Sequence, residues 1–194
     1  MLHIRVFSQV LVLGAALFLG GCFVTATNMP AGRGPINDDA LVGNWQGLDS
    51  DSGKPEGVFL HFQKPDPDKP LRLVYVEGKD LIVYEMSTTR VGNRNVFYAT
   101  VLQPEEAVEE SKGGSYLGYY ETTGTTATFW LLDAEKVSEH IRKGKVRGTP
   151  GPAKYDIAKL TGSPAELAAF LASPDGWASR MEDPARLRRI VTPE

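Results

Sequence analysis

Between residues 41 and 132 the chain is a succession of short runs rich in β-branched and aromatic residues. The segments 41–48, 57–63, 71–77, 80–90, 95–102, 115–122 and 125–132 each end in a turn or short loop. Gly78-Lys79 and Gly92-Asn93 are two-residue hairpin turns with glycine first, Pro65-Asp66-Pro67-Asp68 is a longer turn, and Thr123-Gly124 joins the last two runs. Connections this short force neighbouring strands to run antiparallel, which predicts an up-and-down meander.

The runs carry apolar residues at both odd and even positions. The run 80–90 contains Leu81, Ile82, Val83 and Tyr84 in succession, and 95–102 contains Val96, Phe97, Tyr98 and Val101. A sheet with one wet face alternates more cleanly. The meander must therefore curl on itself, be covered by helices, or both, and closure also removes exposed strand edges. Helices are available downstream. Asp133 is an N-cap for a helix over 134–143, stopped by Gly144. Ser163-Pro164-Ala165-Glu166 is a capping box with proline at the first helical position, opening a helix to about residue 172. Residues 155–160 predict an eighth strand and 187–191 a short last one. The expected fold is mainly β: an antiparallel up-and-down meander curled into a barrel-like roll, with two C-terminal helices, in one domain over residues 40–194.

The N-terminus is of another kind. Met1-Leu2-His3-Ile4-Arg5 is followed by an apolar run over 10–19 and then by Leu19-Gly20-Gly21-Cys22. A basic start, a short apolar run and a small-residue cleavage site make a secretory signal over residues 1–21. Leu19-Gly20-Gly21-Cys22 resembles the lipobox of bacterial lipoproteins. That resemblance implies cleavage before Cys22, a diacylglycerol thioether on its sulfur and an acylated amino terminus. Several acyl chains hold a protein firmly to a bilayer where one would let it exchange. Phe23 rather than aspartate follows the cysteine, which implies the outer membrane, facing the periplasm, in a Gram-negative host. Residues 22–39 are rich in Pro, Gly and polar side chains without periodicity and read as a flexible tether of about 20–25 Å.

Arg5 is the one charged side chain among residues 1–21, so the remainder carries 20 basic against 24 acidic groups. A mildly acidic chain lacks the basic face that nucleic acids require. Cys22 is the single cysteine, so the folded domain has no disulfide, no catalytic thiol and no thiolate metal site.

Catalytic patterns are weak. Gly113-Gly114-Ser115-Tyr116-Leu117 lacks the second glycine of a nucleophile elbow. Asp49-Ser50-Asp51-Ser52-Gly53 misses the ligand spacing of a calcium loop and reads as a solvated turn. Glu105, Glu106, Glu109 and Glu110 form the wet face of a short helical turn. No catalytic residue, metal site or cofactor is expected. The remaining signal is aromatic: Trp45, Tyr75, Tyr84, Tyr98, Tyr116, Tyr119, Tyr120 and Trp130 lie on strands. Such residues are usually core, but Trp45, Tyr84, Tyr98 and Trp130 are candidates to line a ligand cavity, since a small barrel is either filled or holds one small ligand.

Gly43-Asn44-Trp45 near the start of the first strand is similar to the Gly-x-Trp of lipocalins, in the calycin group. That resemblance implies a tryptophan closing one barrel end beneath an arginine from the last strand, for which Arg188 and Arg189 are the candidates. The leading expectation is a non-enzymatic, membrane-anchored envelope lipoprotein that binds a protein or cell-wall partner. The alternative is a calycin-like carrier of a small apolar molecule, and a carboxylate-based hydrolase ranks last.

Overall fold

The computed structural model describes residues 23–34, 36–105, 114–151 and 157–191. The signal segment, Cys22, most of the acidic loop over 103–114 and the start of the strand expected at 155–160 lie outside the described residues. No helix among the described residues is long and apolar enough to cross a membrane.

Eight antiparallel strands form a closed barrel. They are β2 (Gly43–Leu48), β3 (Pro55–Gln63), β4 (Leu71–Glu77), β5 (Asp80–Val91), β6 (Arg94–Gln103), β7 (Ser115–Thr122), β8 (Thr126–Leu131) and β11 (Ala185–Arg189). Each of the first seven pairs with the next, as the short turns require. Gly78 and Gly92 take φ values of 57° and 62°, which a glycine adopts without steric cost. The eighth stave is β11, which pairs with β8 on one side and with β2 on the other. The sequence instead offers residues 155–160 as the eighth strand. The described part of that segment, β10 (Ala158–Leu160), lies outside the barrel, parallel to β1 (Val24–Ala26) and beside β9 (Gly148–Thr149).

Apolar residues on both strand faces are explained by two cores. Inside the barrel lie Trp45, Leu60, Phe62, Leu73, Tyr84, Met86, Phe97 and Leu187. Outside it, helices α1 (Ala134–Arg142) and α2 (Pro164–Ala172) cover the outer faces of β6 and β7, burying Val96, Leu117 and Tyr119 against Val137, Leu167, Phe170 and Leu171. Every residue from Ser115 to Tyr120 is consequently buried. The caps form as the sequence predicts. The Asp133 carboxylate accepts from the backbone N–H groups of Glu135 and Lys136. Ser163 and Glu166 make the reciprocal bonds of a capping box. A short helix α3 (Pro174–Ala178) follows and places Trp177 between the guanidinium groups of Arg94 and Arg180.

The segment read as a tether departs most from expectation. Phe23 is buried against Tyr116, their rings 4.8 Å apart and edge-on. Val24–Ala26 is buried throughout and lies between β7 and β10. Beyond it the Ala31 N–H donates to the Pro164 carbonyl at 2.8 Å, and Arg33 bridges to Arg90. The buried Asn37 amide donates to the carbonyls of Pro67 and Lys69, pinning the β3–β4 turn. A Cβ on Gly32 would lie 2.0 Å from Thr89 Oγ1, so glycine there permits close backbone approach. Pro, Gly and lack of periodicity mark a chain lying flat on a surface as well as a free coil.

Candidate functional site

The two barrel ends differ. At one, a 3-10 turn, Asp39–Leu41, leads into Gly43 and Trp45. Trp45 is fully buried, and its indole N–H donates to the Leu41 carbonyl at 2.7 Å. The Arg189 guanidinium lies 4.3 Å above the indole centroid. It also donates to the carbonyls of Ala40, Val42 and Gly124. Gly43 has φ 128°, and a Cβ there would sit 2.7 Å from Arg189 Nη1. The glycine, the tryptophan and the arginine are thus one device: the glycine leaves room for the guanidinium, which closes the barrel over the indole. This is the arrangement that the lipocalin resemblance implies, and it selects Arg189. Arg188 faces outward and reaches Gln46 Oε1 at 3.2 Å. Just inside, Tyr120 donates to the Asp38 carboxylate at 2.8 Å and stacks on Phe129.

At the other end, where β2, β4 and β6 finish and β3, β5 and β7 begin, the barrel is not filled. A cavity of about 100 Å³ runs from the loop at Leu48–Ser50 and the approach to β11 down to an aromatic floor. Phe62, Phe97 and Phe129 make that floor, Phe129 stacked on Phe62 and edge-on to Phe97. Leu60, Leu73, Tyr84, Met86, Ala99, Leu131 and Leu187 form the walls. A single water needs about 10–15 Å³ of such space, so there is room for several waters or for one small organic molecule.

The mouth is polar. Asp49, Glu56, Tyr75, Asp183 and Arg186 line it, three acids against one base. The Tyr75 hydroxyl donates to the Glu77 carboxylate at 2.6 Å. Burial first, and then the bond to Glu77, push the Tyr75 phenol far above its ordinary range. Burial also raises the Glu56 carboxyl, helped by the like charges of Asp49 and Glu77. The Asp49 carboxyl is instead held low by hydrogen bonds from the Ser52 side chain and backbone, the contacts of a solvated turn.

Of the four aromatics singled out as cavity candidates, Tyr84 lines the cavity. Trp45 belongs to the closed end. Tyr98 and Trp130 face outward and pack on the helix-covered core, Tyr98 reaching the Ala26 carbonyl at 3.4 Å and Trp130 lying 6.0 Å from Trp177. Parity separates them: Tyr98 alternates with Phe97 and Ala99, which point in, and Trp130 with Phe129 and Leu131. Phe62, Phe97, Phe129 and Met86, unremarked in the sequence as site residues, line the cavity with Tyr84. Elsewhere, Ser115 Oγ is buried and bonded to Thr100 Oγ1 at 2.6 Å, and His61 lies outside the barrel against Asn44. Among the described residues no set of three His, Cys, Asp or Glu side chains is placed to hold a metal ion.

No family model, curated protein or solved structure matches this chain. The likeness to calycins therefore rests on strand order and on the Gly43, Trp45 and Arg189 device.

Proposed function

We propose that the protein is a calycin-like binder of one small, largely apolar molecule, held at a bacterial envelope membrane through acylated Cys22. The observation that carries the binding reading is the aromatic-floored cavity inside a barrel whose other end is sealed. An unfilled interior forfeits dispersion contacts along its whole lining, and a barrel that recognised partners only by its outer surface would gain stability by filling it. That argument places internal ligand binding ahead of a protein or cell-wall partner. Support for the anchor comes from the lipobox resemblance.

Native mass spectrometry on the chain from residue 22, carrying Cys22→Ser and purified without detergent, tests the binding reading. A discrete extra mass that disappears in Ala99→Phe, which fills the cavity, is the expected result. An empty protein that also takes up no added small aromatic compound would overturn it.

A further inference from the structure

Cavity shape says apolar, and the mouth says more. On β3, Glu56 lines the cavity together with Val58, Leu60 and Phe62. On β4, Glu77 shares the inner face with Leu73 and Tyr75, and on β5, Asp80 stands on the face of Ile82 and Tyr84. Asp49 and Asp183 complete the rim at the ends of the neighbouring segments. Inner positions thus change from apolar to acidic at the mouth, strand after strand. Lys54 and Lys79 sit on exposed loops, and Arg186 on β11 is the one base among the cavity-lining residues, against the three acids Asp49, Glu56 and Asp183. Among the described residues no ion pair engages Asp49, Glu56, Glu77, Asp80 or Asp183.

Resting on the binding reading above, we propose that the ligand is a small organic cation: an ammonium-type head at the carboxylate rim and an apolar, ring-sized body on the aromatic floor. Partly buried Glu56 feels the like charges of Asp49 and Glu77, and a bound cation relieves that repulsion where water does so poorly. The aromatic side chains of Phe62, Phe97, Phe129 and Tyr84 line the deeper cavity and offer an apolar surface for the body of the molecule. A metal ion suits the rim badly, because its carboxylates are spread around a ring rather than gathered on one point. An anionic amphiphile such as a fatty acid would meet three acids against one base among the cavity-lining residues at this end.

The test compares three near-isosteric probes by calorimetry on the chain from residue 22 carrying Cys22→Ser: 2-phenylethylammonium, 2-phenylethanol and phenylacetate. The cation is expected to bind at least about tenfold more tightly than the alcohol, with the anion weakest. Raising the salt from about 10 mM to about 0.5 M should shrink the preference, and the double variant Glu56→Gln, Glu77→Gln should lower the cation-to-alcohol affinity ratio several-fold. Equal binding of alcohol and cation, or tighter binding of the anion, would overturn the cation assignment and leave a binder of neutral or acidic molecules. Failure of all three probes, together with an empty native mass, would overturn the cation assignment and the binding reading at once.

Discussion

Arg189→Ala tests the closed end of the barrel most directly. The guanidinium stacks on Trp45 at 4.3 Å, a contact worth about 0.5–2 kcal/mol at such a site. It also donates to the carbonyls of Ala40, Val42 and Gly124, and bonds from a charged donor contribute about 1.5–3 kcal/mol each when shielded from water. The site is only half-buried, so water would recover part of this once the side chain is gone. The net loss should be about 3–5 kcal/mol, which lowers Tm by roughly 10 °C in a domain of this size. Urea unfolding followed by circular dichroism measures it. Arg189→Lys should retain less than half of the stabilisation, because an ammonium cannot serve three carbonyls in a plane and stack at the same time. A double-mutant cycle with Trp45→Phe should show a coupling near 1 kcal/mol. If Arg189→Ala costs under about 1 kcal/mol, in the range of an ordinary surface substitution, or if lysine replaces arginine without loss, the closure device does not exist as described.

Three further outcomes follow from the same geometry. Removing residues 23–27 should destabilise the domain by several kcal/mol, because Phe23, Val24 and Ala26 are buried and bridge β7 to β10; a truncated chain with unchanged urea midpoint would restore the tether reading. Glu56→Gln should raise Tm at pH 7 and leave it unchanged near pH 3.5, since a carboxyl whose folded pKa is raised above its ordinary 4.5 stabilises the fold at low pH and loses that contribution as pH rises through the folded value; equal Tm values at pH 7 would show that Glu56 is fully solvated. Cys22→Ala should abolish fatty-acid labelling in a bacterial host, and persistent labelling would refute the anchor.

Much of the barrel was legible because its signals are local. The turns at Gly78 and Gly92, the Asp133 and Ser163 caps and the seven successive strand runs each follow from a few adjacent residues. Closure was not legible in the same way. Residues 155–160 and 187–191 are both short apolar runs, and only tertiary pairing decides that Ala185–Arg189 completes the barrel while Ala158–Leu160 pairs with β1 outside it. The packing of the segment 23–39 is not legible for a related reason. Its contacts to Tyr116, Pro164, Thr88 and the β3–β4 turn all lie far away in sequence, and a chain pinned by single hydrogen bonds has no period to betray it.

The site was half legible, and the missing half has a definite cause. A strand buried on both faces leaves no polar side to tell inside from outside, so Tyr98 and Phe97, or Trp130 and Phe129, are equivalent in sequence and opposite in space. Yet the strands facing water do carry the information. On β3 the exposed residues Gly57, Phe59, His61 and Gln63 alternate with Val58, Leu60 and Phe62. Continuing that inner series backward reaches Glu56, and the inner series of β4 continued forward reaches Glu77. Carboxylates on inner positions at the mouth-side ends of adjacent strands, opposite the end marked by Gly43 and Trp45, distinguish the open end of the barrel from its sealed one. On the proposal that the cavity binds a cation, that pattern, which depends only on parity and on which end holds the tryptophan, would announce the ligand's charge in sequence even where its shape is fixed by residues whose facing cannot be read.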